Sequence, residues 1–308
     1  MMTPAPVTEV HTLACRAHVG FARSCLTSLL KANPAGTKVL VHDDGSLSEA
    51  DEQSLCQDFP AIRVVRRRIA DELMASALTR YPRLRRYRAE HPLALKLLDV
   101  VLLSAEPIIA YCDTDILFYR PALGLFKLPE RANAVFTCDM YNSYSLRSWQ
   151  IYRQKIACCR YVNSGLFVVN RSILDLDRLE WVLGLNTPPV LNHYREQTAW
   201  AILAANASTL LIHPDDVRIV NADSDVSDLI AGHYVATFRK RLASDIAKRL
   251  ACDTNVGGRH LRYLPTSQCT ALEMLRYEVS RRLARYLPTQ NADRYVAVTS
   301  ELTASRIS

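Results

Sequence analysis

The stretch PIIAYCDTDILFYRPA, residues 107 to 122, does most to limit what this chain can become. It is apolar from residue 108 to 111, carries carboxylates at Asp113 and Asp115, and turns apolar again through Ile116, Leu117 and Phe118. A continuous apolar run of this kind reads as a strand buried on both faces, which requires a sheet covered by other elements. Two aspartates where such a strand ends are costly to bury unless a cation meets them. A divalent metal carrying a diphosphate is the natural candidate, because carboxylate oxygens suit Mg²⁺ or Mn²⁺ and those ions commonly share their coordination with substrate phosphates.

The sequence around this stretch alternates between two periods. VTEVHTLAC, residues 7 to 15, has the β-branched content of a first strand, and residues 20 to 30 place Phe21, Cys25, Leu26, Leu29 and Leu30 at helical spacing. TKVLVHDDGS, residues 37 to 46, reads as a strand ending in Asp43 and Asp44, followed by a helix that Ser48 caps. Further strands are expected over 61 to 69 and 132 to 141, and helices over 93 to 103 and 192 to 206; within 160 to 172, Asn163, Ser164 and Gly165 stand just before another apolar strand, where the backbone can come close to a ligand. Strand alternating with helix predicts a mostly parallel α/β sheet, whose ligands gather at the carboxyl ends of the strands.

With 308 residues, 49% of them hydrophobic, the chain can bury a substantial core. A formal charge of +7 favours an anionic partner. Most arginines between residues 66 and 88 are expected to be solvated, and no base-reading module accompanies them, so nucleic acid is not the expected partner. Nine cysteines without CxxC spacing are expected to be reduced thiols in a cytoplasmic protein. No window approaches the roughly eighteen apolar residues of a spanning helix. Residues 271 to 287 form a basic amphipathic helix with an apolar stripe of Leu272, Leu275, Val279, Leu283 and Leu287. That stripe is expected to dock on the domain, with peripheral contact to the inner face of an anionic membrane as the alternative. The tail beyond Pro288 is expected to be loosely ordered.

Taken in order, these segments resemble the nucleotide-sugar glycosyltransferases of the GT-A fold, over roughly residues 8 to 245. HDDGS at 42 to 46 resembles the segment that holds the nucleotide, and YCDTDILF at 111 to 118 resembles the Asp-x-Asp metal motif. VNSGLFVVN at 162 to 170 is similar to the Asn-x-Gly segment of the retaining group that includes glycogenin and lipopolysaccharide galactosyltransferases. Glu196-Gln197 stands where that group carries Asp-Gln, and His233 where it carries a metal-binding histidine. The resemblance implies a single Rossmann-like GT-A domain over 1–250, with a C-terminal helical extension and tail over 251–308.

It implies a donor that is a nucleotide-diphosphate sugar, most simply a UDP-sugar, and a saccharide or glycolipid acceptor. Asp113, Asp115 and His233 would hold Mn²⁺ or Mg²⁺, and Asp113 would also meet the donor ribose. Asp43 and Asp44 would face the base, Lys96 the phosphates or sugar, and Asp99 the sugar. Asn163 and Gly165 would line the sugar pocket, with Glu196 and Gln197 at the reacting face. The sequence departs from the group late in the chain: Ala236 stands where the group has glycine, and Phe238-Arg239-Lys240-Arg241 replaces a Lys-Pro-Trp triplet. Either Lys240 or Arg239 would then close over the phosphates. Two other readings are a haloacid-dehalogenase-type phosphatase, with Asp113 as nucleophile and Asp215 and Asp216 as its later acidic pair, and a sugar-nucleotide binding protein without catalysis.

Overall fold

The computed structural model describes residues 9–33, 37–251, 257–283 and 294–304. In chain order its strands are β1 (Glu9–Ala14), β2 (Lys38–Asp43), β3 (Ile62–Val65), β4 (Ile108–Cys112), β5 (Ile116–Phe118), β6 (Ala122–Leu123) and β7 (Ala134–Cys138). They continue with β8 (Val162–Asn170), β9 (Thr209–Ile212), β10 (Val217–Ile219), β11 (Ala231–His233), β12 (Arg259–His260) and β13 (Tyr263–Pro265). Eight of them make one sheet in the order β13-β9-β7-β8-β4-β1-β2-β3. The pairs β1/β2, β2/β3, β1/β4 and β7/β9 are parallel. Strand β8 runs antiparallel between β4 and β7, and β13 runs antiparallel to β9.

The sheet is buried on both faces, as the unbroken apolar runs require. Ile109 and Tyr111 of β4 join Phe136, Phe167 and Trp200 in one core, while Ala110 and Cys112 point the other way into a second core with Val10, Val41 and Leu26. Tyr111 stacks on Phe167, which meets Trp200 at a tilt, with ring centroids 5.0 and 4.9 Å apart. Ser48 caps the helix Glu49–Asp58 through a reciprocal pair of bonds with Asp51.

Three features of the topology assemble the site. Strands β2, β4 and β7 lead directly into Asp43, Asp113 and Asp139 at one edge of the sheet, and antiparallel β8 begins at that same edge. The expected helix over 93 to 103 is two short helices, Leu93–Leu97 and Asp99–Leu102, meeting at Leu98. A small sheet, β10-β11-β5, places His233 opposite Ile116, beside Asp115.

The C-terminal part is tied into the main body. Strand β13 covers the β9 edge, and β12 pairs with β6. The expected basic helix is seen as Ala271–Leu283, its remaining four residues lying outside the described segments. It docks through Met274, whereas Leu272, Leu275, Val279 and Leu283 are exposed, which reverses the expected orientation of the stripe. The expected loose tail also proves structured in part: Arg294–Ala304 is a helix whose Tyr295, Val298 and Leu302 are buried. Those three residues share one side at helical spacing, and that burial offsets the ordering cost of the segment.

Candidate active site

The chain leaves β4 at Cys112 and presents Asp113 and Asp115 before entering β5. Asp115, His233 and Asp113 each offer a ligand atom, and these atoms lie within 4.8 Å of one another. His233 Nε2 is 3.2 Å from Asp115 Oδ1 and 3.7 Å from Asp113 Oδ2. Asp115 Oδ1 is buried with no hydrogen-bond donor aligned to it among the described residues. Two carboxylates and an imidazole around such an orphaned oxygen fit a divalent cation in chemistry as well as in spacing.

The histidine has a built seat. Strand β8 carries an irregularity opposite Phe136 and Thr137, where its pairing jumps from Phe167 to Asn163. Thr137 Oγ1 donates into this bulge, at 2.9 Å from Asn163 O and 3.0 Å from Asn163 Oδ1. Asn163 Oδ1 also accepts from Gly165 N at 3.0 Å and lies 3.1 Å from His233 Nδ1. The second ring nitrogen of His233 is thereby held, which fixes how Nε2 faces the two aspartates. A Cβ at residue 165 would fall 2.1 Å from His233 Cε1, so the imidazole occupies the space a side chain would need. Gly165, expected to line a sugar pocket, here makes room for the histidine.

Lys96 lies between Asp113 and Glu196. Its Nζ is 3.0 Å from Asp113 Oδ2 and 3.9 Å from Glu196 Oε2, over the ring of Tyr111. Burial disfavours the Lys96 ammonium, but Asp113, Glu196 and Asp115 outweigh it and raise its pKa above the ordinary lysine value. Tyr111 donates its hydroxyl to Asp113 Oδ1 at 2.7 Å. Burial would likewise raise the Asp115 carboxyl, yet His233 and Arg239 overcome it and hold it at about 2.

Glu196 and Gln197 open the helix Arg195–Ala204. Glu196 Oε2 accepts from Ser164 Oγ at 2.8 Å, while Oε1 has no partner among the described residues. Burial pushes the Glu196 carboxyl up to about 7; the Lys96 charge pulls the other way but is shared with the nearer Asp113. Gln197 donates to Asp139 Oδ2 at 3.1 Å and accepts from Asn163 Nδ2 at 3.3 Å. Asp139 is fully enclosed, and burial raises its pKa against the hydrogen bonds from Tyr141, Gln197 and Asn163.

Of the residues singled out from the sequence, Lys96, Asp113, Asp115, Asn163, Gly165, Glu196, Gln197 and His233 therefore come together. Asp99 does not face this cluster with a free carboxylate: Arg88 grips both its oxygens at 2.7 Å. Arg88 is thus an exception to the expectation of solvated arginines. Asp43 accepts from the backbone of Gly45 and Leu47 at 2.8 and 3.1 Å, which shapes the loop after β2, and Asp44 is the half-exposed member of the pair. Lys240 is exposed, while Arg239 Nε donates to Asp115 Oδ2 at 2.8 Å. Between the two cations left open above, Arg239 is the one that reaches the aspartates.

Asp139 and Tyr111 are site residues that sequence reasoning passes over, and Ser164, expected to matter through its backbone, acts through its hydroxyl. Asp139 carried a usable signal, since it follows an apolar strand just as Asp43 and Asp113 do. The acidic pair a phosphatase would bring to its nucleophile is committed elsewhere: Asp216 binds Arg259 and Arg262 at 2.6 and 2.8 Å, and Asp215 binds Arg218 at 2.9 Å.

No protein-family model matches the chain, and no curated protein matches it. Solved structures do. The galactosyltransferase LgtC, in complex with donor and acceptor sugar analogs, superposes with a TM-score of 0.55 at 14% identity, over 81% of this chain and 98% of that one. The bifunctional glycosyltransferase WbbM superposes with a TM-score of 0.52 at 10% identity, over 80% of this chain and 52% of that one, so the match spans about half of WbbM. The chain has the GT-A fold of the glycosyltransferases.

Proposed function

We propose that the protein is a metal-dependent glycosyltransferase that moves a hexose from a nucleotide-diphosphate sugar, most simply a UDP-sugar, to a hydroxyl of a saccharide or glycolipid. The observation that carries this reading is the Asp113–Asp115–His233 cluster at the carboxyl edge of a GT-A sheet. The cluster would hold Mn²⁺ or Mg²⁺. When bound, the ion supplies positive charge to the diphosphate that departs as the sugar is transferred.

The chain's own groups have distinct tasks in this reading. Lys96 donates to both oxygens of Asp113, at 3.2 and 3.0 Å, and so holds that carboxylate in place beside the cluster. Arg239 faces the same edge and would leave Asp115 for a donor phosphate, an exchange of one charge-assisted bond for another. Glu196 is the group at the reacting face. A buried carboxyl near 7 changes charge close to neutral pH, and its ionised form can either accept the acceptor hydroxyl's proton or oppose the positive charge on the anomeric carbon. Asp139 fixes the amide of Gln197, which presents a neutral hydrogen-bonding group beside Glu196.

The test is nucleotide release from UDP-, GDP-, dTDP- and CMP-sugars with Mn²⁺, Mg²⁺ or chelator. Metal-dependent release of UDP is expected, with a loss of roughly a hundredfold or more in Asp115→Ala. Undiminished release in that variant, or thermal stabilisation by none of the free nucleotides, would remove the basis of this assignment.

A further inference from the structure

A second surface, separate from the metal cluster, involves two packed helices. Ala271–Leu283 packs against Ser148–Gln154, and Glu278 Oε1 accepts from Ser148 N at 2.7 Å. Each turns large apolar or aromatic side chains to solvent. On Ala271–Leu283 these are Leu272, Leu275, Val279 and Leu283, at successive intervals of three and four residues, with Leu272 57% exposed. On Ser148–Gln154 they are Trp149 and Tyr152, the latter 78% exposed. A scattered exposed leucine means little, but a periodic stripe beside an exposed tryptophan and tyrosine marks an interaction surface.

The charges around these side chains identify the partner. Arg153 and Lys155 are exposed at the end of the shorter helix, and Arg276 and Arg282 are exposed on the longer one. The acids of the longer helix are half-buried and engaged: Glu273 pairs with Arg160 at 3.2 Å, and Glu278 receives the Ser148 amide. The exposed charge on the two helices is therefore uniformly positive, interleaved with aliphatic and interfacial aromatic groups. A protein partner would have to bury those cations, whereas a bilayer accepts the apolar groups at the acyl boundary while its anionic headgroups meet the arginines. We infer that the helices Ala271–Leu283 and Ser148–Gln154 together form a docking face for an anionic membrane surface.

The full-length chain should co-sediment with vesicles of phosphatidylcholine plus phosphatidylglycerol but not with phosphatidylcholine alone, and added salt should release it. Two variants separate the contributions: Leu275→Ser/Val279→Ser removes apolar contact, and Arg276→Glu/Arg282→Glu reverses the charge. Each should lower the partition coefficient by about tenfold or more while the thermal unfolding curve is retained. Parent-level binding in either variant, or equal binding on neutral and anionic vesicles, overturns the inference. So does a concentration-dependent dimer that Leu275→Ser/Val279→Ser abolishes in a protein that ignores vesicles, since the face then belongs to a second copy. None of these residues touches the metal cluster, so failure here leaves the donor-turnover test unaffected.

Discussion

Glu196 shows how a single residue can be legible in type and illegible in behaviour. Its place beside Gln197 at the start of a helical pattern was visible in the sequence; its enclosure by Ser164, Lys96 and Tyr111 was not, because those residues reach it through three different elements. Burial raises its pKa from 4.5 to about 7, so the native state holds this proton more tightly than the unfolded chain does. The unfolded chain ionises first as pH rises, and stability is lost across the interval from 4.5 to about 7. In chelator, Glu196→Gln should abolish that decline and leave the protein more stable than the parent above pH 7, by on the order of 3 kcal/mol. Urea unfolding of both proteins below and above this interval measures the effect, and a parallel decline in the variant would place its origin at another group. Asp139 was missed for a complementary reason. It was read as the end of a strand, although the run AVFTC followed by Asp139 repeats the pattern that drew attention to Asp113.

At the scale of elements, the strands and most helices were written in the apolar periodicity, because their faces are buried against a covered sheet. The irregularity in β8 was not, since it depends on how β7 registers against it. It converts Asn163, Ser164 and Gly165 from a lead-in to a strand into part of the ladder, where they meet His233, Glu196 and Gln197. The choice between Arg239 and Lys240 was equally closed to sequence reading: adjacent residues on a helix point about 100° apart, and only the helix's docking selects one of them. The turn before that helix carries a local cost. Ala236 sits at φ +43°, in the left-handed region where an L side chain is strained. Ala236→Gly, which restores the residue of the resembled group, should raise stability by about 1 kcal/mol, visible as a higher urea midpoint. An unchanged or lowered midpoint would mean that the flexibility glycine adds to the unfolded chain cancels the relief.

For the molecule as a whole, the C-terminal helix is bonded to the strands that carry the site. The buried Tyr295 hydroxyl accepts from Ile219 N at 2.9 Å and donates to Cys138 O at 3.3 Å, next to Asp139. Tyr295→Phe leaves a strand amide and a carbonyl unpaired in the interior, which should cost about 1–3 kcal/mol. If the C-terminal helix belongs to the same cooperative unit, the variant's calorimetric peak remains single and moves down; an unmoved main peak would mark the helix as a separate unit. Among the described residues no helix is long and apolar enough to cross a membrane. The edge strand β13 carries a further consequence, for the order in which the chain can fold. Strands β1, β2 and β3 pair with one another across a few tens of residues, so these three can assemble while synthesis continues. The β9 edge waits for residues 263–265, with its backbone groups open to any other strand in the meantime. A ribosome that stalls once β9 has emerged, but before residues 263–265 can reach it, holds a nascent chain with an uncapped sheet edge, and aggregation during synthesis should track stalls in that interval.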